Sequence, residues 1–462
     1  TRKEKIINFS LYVFLFIGVI QGFNLNFFIM LISNVGIYNF ISFIKKFKLF
    51  TTYYVLLSFL WFYFAYSDLN QYTFKPDKIL GLINTSNNSM SVLYWSLLTL
   101  LVIAGLYSLC KRTFKYFDLK LITNNFLLTS IFIVTAGLLS ANFPIARFYS
   151  FLYFGQQKYS TDNRSVFSLD ELGVVIPWRG FYPSAESIGE FFSITIFVLI
   201  FYIFKEGSKK ITLLQSLGLF ASLFGLLASN NRSAIFTLFL SIIIFIYLSD
   251  FSFIKNFKTY IFVSLFGLLF LFISLLGGFD LFESVNFTKS RIIQTASDYT
   301  LDGYMSSSLN YLSNNENFFT SFIFAIISTI SFYINRSELW GIFVAKYSPS
   351  STELYFGSGP FNFANLYSEI PIKETQSFLL PHSSYIDMLV FFGVINTSII
   401  LLILIIFIKR NFQFKRMNLW GYLLLIIFLN LIKSDSILYS SSFLVYTMGI
   451  FMSVENSKIN NI

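Results

Sequence analysis

Leu379-Leu-Pro-His-Ser-Ser-Tyr-Ile-Asp-Met-Leu-Val-Phe-Phe-Gly-Val394 is the stretch that decides how the chain is laid out. It is a seam: a long polar segment ends at Ser383, and an apolar run begins at Ser384 and continues to Ile408, where Lys409, Arg410, Lys415 and Arg416 follow. A run of about 20 apolar residues is what a bilayer crossing requires. Basic clusters in short loops mark the cytoplasmic side. The seam, with the chain's only histidine, His382, therefore falls at the outer end of a span.

Composition agrees with a membrane setting. Of 462 residues, 55% are hydrophobic, 21% aromatic and only 12% charged, where a soluble globule is nearer a quarter charged. The net charge of +10 is spread over short clusters between apolar runs, which is topology signalling, not a nucleic-acid patch. One cysteine, Cys110, and one histidine exclude an internal disulfide and a zinc site of the His/Cys type. Carboxylate-bound metal stays open. The Phe, Ile, Asn and Lys richness reads mainly as the mark of an AT-biased genome.

Outward from the seam, apolar runs recur at 6–20, 25–44, 51–66, 91–110, 121–141, 185–204, 211–228, 233–249, 259–279, 384–408, 419–432 and 437–454. The expectation is an all-α polytopic membrane protein of about twelve transmembrane helices, 1–462 forming one membrane domain. The first run reads as a retained span, because no small-x-small cleavage site follows it. With both termini cytoplasmic, the inner loops hold Arg2/Lys3/Lys5, Lys45/Lys46/Lys48, Lys111/Arg112/Lys115/Lys120, Lys205/Lys209/Lys210, Lys255/Lys258, Lys409/Arg410/Lys415/Arg416 and Lys458. That is more than half of the 33 basic residues. If Phe318–Ile334 crossed as well, the Lys409 cluster would be outside. We therefore expect this segment to lie in the outer interface or to insert part-way. Residues 142–184 and 280–383 become outer loops, the second too long for a mere connector.

Four motifs lie on the outer side. Trp178-Arg-Gly-Phe-Tyr-Pro-Ser-Ala-Glu-Ser-Ile-Gly-Glu190 enters a span, and an arginine at that boundary binds phosphate strongly because one side is low dielectric. Its alternative is an interfacial anchor. Ala228-Ser-Asn-Asn-Arg-Ser-Ala234 is a short turn that puts Arg232 outside, against the orientation rule. Asn335-Arg-Ser-Glu-Leu-Trp-Gly-Ile342 precedes Tyr355-Phe-Gly-Ser-Gly-Pro-Phe-Asn-Phe363, whose Gly357 and Gly359 permit turns that suit a loop approaching a ligand. His382, at the mouth of a span, is either structural or a group able to take a hydroxyl proton near neutral pH. Intramembrane charge is confined to Glu186, Glu190 and Asp387 near outer ends, which disfavours a pump or ion-coupled carrier.

In this order the motifs resemble the O-antigen polymerase and O-antigen ligase superfamily of bacterial membrane glycosyltransferases. The matching residues are Arg179 with Gly180; Ser229, Arg232, Ser233 and Ala234; Arg336 with Trp340, then Gly357, Gly359 and Pro360; and His382, Ser383 and Tyr385 with Gly393. Arg179 abuts its glycine, where ligases space the pair by three. Glu186 stands where many ligases carry Asn, and this version is more like polymerases.

The resemblance implies a GT-C-like fold with short interfacial helices in the large periplasmic loop. It also implies an inner-membrane enzyme that transfers glycan from an undecaprenyl-diphosphate-linked oligosaccharide without metal or cofactor. It assigns Arg232 and Arg336 to the diphosphate with Arg179 assisting, and His382 to positioning or deprotonating the acceptor hydroxyl. Glu186, Tyr385, Gly357 and Gly359 fall to substrate binding. Membrane lipids and a chain-length regulator are the implied partners, and nucleic acid is not one. A ligase acting on lipid A core, a protein O-oligosaccharyltransferase and, from another class, a lipid-linked oligosaccharide flippase stay open.

Overall fold

The computed structural model describes residues 25–67, 89–115, 119–142, 177–178, 180, 185–206, 211–248, 291–298, 310, 314, 317–334, 336–360, 362, 382–413 and 419–433. The expected spans at 6–20, 259–279 and 437–454, residue Arg179, most of the first outer loop and part of the second lie outside these residues. Among the described residues there is no β-strand. In chain order the helices are α1 (Leu25–Lys46), α2 (Lys48–Ser67), α3 (Ser89–Lys115), α4 (Leu119–Asn142), α5 (Ala185–Glu206), α6 (Leu213–Ala228) and α7 (Arg232–Leu248). There follow α8 (Arg291–Asp298), α9 (Phe318–Tyr333), α10 (Ser337–Lys346), α11 (Ser351–Phe356), α12 (Ser384–Gln413) and α13 (Leu419–Asn430).

Among the described residues, four stretches are long and apolar enough to cross a membrane: Lys48–Tyr66, Leu119–Leu139, Ile188–Lys205 and Ser384–Ile406. Each coincides with an expected span. Their outward faces are apolar too, as with Leu402, Ile403, Ile405 and Ile406 of α12, each more than half exposed. α9 has 16 residues, or about 24 Å of helix at 1.5 Å per residue, short of the ~30 Å hydrocarbon core.

The chain divides into two compact units. The first comprises 1–45, 101–260 and 408–462, and the second 46–100 and 261–407.

In the first unit, α5 is the central helix, in contact with α4, α6, α7 and α13. In lipid, close packing replaces water exclusion as the force between helices, so small residues are needed where backbones approach. Gly218, Ser222 and Gly225 of α6 supply them: a Cβ on Gly218 would press into Leu127, and one on Gly225 into the Phe192 ring. The Ser130 and Ser222 hydroxyls bond at 2.7 Å across the same seam. On the opposite side Phe197, Phe201, Phe245 and Tyr422 form a ring cluster joining α5, α7 and α13. α6 begins with a capping box in which Thr212 and Gln215 satisfy each other's backbone N–H.

In the second unit α10 packs on α8, with Gly341 against Thr295 and the Ile292 carbonyl, and both contact α9. α2 is tied to the later elements by polar bonds at depth. The Trp61 indole N–H donates to the Phe356 carbonyl at 2.8 Å, and the Tyr53 hydroxyl donates to Asn396 Oδ1 at 2.6 Å.

Candidate functional site

In the first unit the structure joins the first two motifs. Ala228, Ser229, Asn230 and Asn231 form the hairpin turn between α6 and α7. Asn230 takes a left-handed φ of 47°, a conformation asparagine enters more readily than most residues. Asn231 is 4% exposed and does three things. Its Oδ1 accepts from the Ala234 N–H at 3.2 Å and from the Ser233 hydroxyl at 2.8 Å, capping α7. Its Nδ2 donates to the Glu186 carbonyl at 2.9 Å, binding the turn to the first turn of α5. Gly189 makes the approach possible, because a Cβ there would meet Asn231 Cβ at 2.6 Å.

Beside this turn, the Trp178 N–H donates to the Ala228 carbonyl at 2.9 Å. The Trp178 ring is fully buried against Gly137 and Gly180, and Gly180 has φ +52°. Arg179, between these two anchored residues, lies outside the described residues. Arg232 is the first residue of α7, exposed, with its N–H on the Asn230 carbonyl at 3.1 Å. The helix dipole disfavours a cation at that end by about 0.3–1 kcal/mol. Its position is thus poor for stability and good for an anion, which both the guanidinium and the helix end attract.

In the second unit the structure joins the third and fourth motifs, through a break in α12. Gly393 has φ +71° and ψ 175° inside the 30-residue helix. Carbonyls beside this break accept from outside the regular helical pattern. Val390 O accepts from the Ser358 N–H and Phe391 O from the Gly359 N–H, both at 3.0 Å. The Ser358 hydroxyl lies within reach of both Val390 O and Asn362 O. Thr397 Oγ1 donates to Met388 O at 2.9 Å, nine residues back across the break. In low dielectric each unpaired carbonyl would be costly, so the Gly357-Ser358-Gly359 loop and the broken helix require each other. Gly357 has φ +81°, and a Cβ on it would run into the backbone of Phe391 and Phe392. Gly359 has φ +99° and sits against Val92 and Trp61. Both glycines therefore approach protein backbone and packed side chains, where the sequence alone suggests a loop approaching a ligand.

His382 precedes the N-terminal cap of the same helix. Its backbone is left-handed, φ +49°, and its side chain is half-buried. Ser383 follows, with its carbonyl accepting from the Asp387 N–H at 3.0 Å. Ser383, Ser384 and Asp387 are buried and Tyr385 is half-buried in the first turn. Arg336 is half-buried at the junction of α9 and α10, its N–H on the Ser331 carbonyl at 2.7 Å and its carbonyl accepting from the Trp340 N–H at 2.9 Å. Trp340 is 7% exposed.

One regularity unites the motifs. Among the described residues the left-handed backbone conformations are Gly180, Asn230, Gly357, Gly359, His382 and Gly393, and each of the four motifs contains at least one. Non-glycine residues held there store of order 1–3 kcal/mol of strain, characteristically at functional turns.

Sequence reasoning passed over Asn231, Ser358, Asn362 and Thr397, the residues that do the joining. Each is a small polar residue in an apolar context, a weak signal until its partner is known. It also passed over Lys346, the last residue of α10, which is 3% exposed. Burial holds its ammonium pKa below the usual lysine value, and burial with the nearby Glu353 carboxylate raises the Tyr347 phenol. No protein-family model, no curated protein and no solved structure matches this chain.

Proposed function

We propose that this chain is a polymerase that joins undecaprenyl-diphosphate-linked oligosaccharide repeats into O-antigen or a similar surface polysaccharide at the periplasmic face of a bacterial inner membrane. In this reading about twelve spans form a GT-C-like scaffold with both termini cytoplasmic. The observation that supports it most is that, among the described residues, positive-φ backbone occurs in the four resembling motifs and nowhere else, with Asn230 and His382 the non-glycine residues held there.

The chemistry is a substitution at the anomeric carbon. An acceptor hydroxyl oxygen forms the new glycosidic bond, the bond from that carbon to the diphosphate oxygen breaks, and undecaprenyl diphosphate departs with the electron pair. The hydroxyl proton passes to His382. Arg232 and Arg336, with Arg179, neutralise charge growing on the diphosphate, the interaction that strengthens most toward the transition state. Tyr385 and Glu186 contribute to sugar binding. The test is the glycan profile of a deletion strain complemented with variants. Loss of the chain is expected to leave single capped repeats, and Arg232→Ala or Arg336→Ala, expressed at normal level, to do the same. Carrier-linked polymer lacking surface attachment would instead identify a ligase, and an unchanged profile would refute both.

A further inference from the structure

We propose that the packed core of α5, α7 and α13 binds an ordered water, which bridges the Ser241 hydroxyl of α7 and the side-chain amide of Asn430 on α13. The site lies in no motif, and it stands or falls independently of the transferase reading.

Two contacts set the register of α7 against α13. The Phe245 ring packs edge-on to Tyr422 with centroids 5.4 Å apart, and the Thr237 hydroxyl lies 2.9 Å from Asn430 Oδ1. On each helix the two contact residues are about two turns apart, and the helices run in opposite directions. The stripe Thr237, Ser241, Phe245 therefore faces the stripe Asn430, Ile426, Tyr422. Ser241 falls between the two contacts, opposite Ile426, and both are fully buried. α5 covers the third side. Phe197 meets both Phe245 and Tyr422, and Ser193, one turn before Phe197, is fully buried at the level of Ser241. A polar layer thus rests on an aromatic one.

Two groups in that layer are not satisfied by the protein. Other buried hydroxyls of this unit turn back onto their own helix: Ser193 donates to the Glu190 carbonyl, Thr195 to Phe191 and Ser222 to Gly218. The Ser241 hydroxyl makes no hydrogen bond. Asn430 is fully buried as well, and while its Oδ1 meets Thr237, its Nδ2 has no protein partner. An unpaired hydroxyl or amide shut away from water is costly, and lipid around the bundle offers nothing in exchange. Water is the ligand these groups fit. It accepts from an amide N–H and donates to a hydroxyl oxygen, or the reverse, so it serves whichever amide atom of Asn430 is turned toward it. With the Ser193 oxygen as a further acceptor at this level, it reaches the about two to four partners that buried waters keep. Ile426 and the ring cluster wall the site, so exchange with bulk water is slow.

The test is radiolytic hydroxyl-radical footprinting of the full chain in lipid nanodiscs, read residue by residue by mass spectrometry, because a bound water is itself the radical source for the side chains around it. Ile426 is expected to be oxidised although it is fully buried. Leu127, equally buried in the α4–α6 seam where the Ser130 and Ser222 hydroxyls bond to each other, is expected to stay unmodified. On mixing with heavy-oxygen water shortly before exposure, the isotope should enter Ile426 later than it enters solvent-exposed residues. Asn430→Leu is expected to lower Ile426 oxidation about tenfold, as the water loses one buried hydrogen bond. Ser241→Ala, which removes a single atom and carries the test if Asn430→Leu fails to fold, is expected to lower it several-fold. In thermal melts the two substitutions should be non-additive, since both act on one water. An unmodified Ile426 in the wild type, oxidation unchanged in Ser241→Ala, isotope entry as fast as at exposed residues, or additive melting shifts would each overturn the proposal.

Discussion

Replacing Gly393 by alanine tests the pairing of the broken helix with its loop. Gly393 sits at φ +71°, ψ 175°, a region of backbone space essentially reserved for glycine, where another residue costs about 1–3 kcal/mol. An added Cβ would also collide with the Gly357 N–H and the Tyr355 carbonyl, and would stand 2.5 Å from Phe356 N. The cheap relief is for α12 to become regular and for the loop to withdraw. That breaks the bonds from Ser358 N–H to Val390 O and from Gly359 N–H to Phe391 O, both 3.0 Å. At roughly 0.5–1.5 kcal/mol each, losing both costs about 1–3 kcal/mol, no more than the strain that the regular helix escapes. Since each 1.4 kcal/mol is tenfold in an equilibrium, protection of the Ser358 and Gly359 amides should fall by at least about fivefold. Hydrogen exchange read by mass spectrometry on peptides spanning 355–362 measures this directly. Val394→Ala is the control, one residue on at a 39% exposed position. Unchanged protection in Gly393→Ala, with an unchanged melting temperature, would refute the claim that the break and the loop hold each other.

Other outcomes follow from the same bonds. Asn231→Ala removes the α7 cap and the bond to the Glu186 carbonyl, and should lower stability by about 1–3 kcal/mol; Asn231→Asp, which keeps the acceptor, should recover part of it in a detergent thermal melt. Thr397→Val leaves Met388 O without its donor, at a cost of about 1–3 kcal/mol, whereas Thr397→Ser should be near wild type by the same melt. Lys346 carries a pKa lowered by burial, so between its folded value and that of the unfolded chain the unfolded state binds more protons, and stability must rise with pH through that window. Lys346→Met should therefore flatten the alkaline rise in melting temperature, and an equally steep rise in the variant would remove Lys346 as its cause. His382→Ala should abolish polymer growth in the deletion strain; normal polymer length would end its assignment as the base.

What was legible in the sequence was the one-dimensional part. Bilayer crossing is a matter of length and hydropathy, and these are properties of a contiguous run, so α2, α4, α5 and α12 were visible before any coordinates. The candidate arginines and His382 were visible because a charged or ionisable residue at the end of an apolar run is conspicuous. The pairing of motifs was not. Glu186 and Asn231 are 45 residues apart, and Val390 and Ser358 are 32 apart. Backbone bonds over such distances depend on which carbonyls a fold leaves unpaired, which no local pattern states. Gly393 looked like the end of a motif, and only the tertiary structure made it a break whose carbonyls Ser358 and Gly359 must fill. α9 falls between these cases: its apolarity was read at once, but which side faces inward was decided by the tertiary structure, which buries Ser328 and Ser331. Composition decided that this chain belongs in a membrane; the need to satisfy buried backbone polar groups decided how its motifs are held.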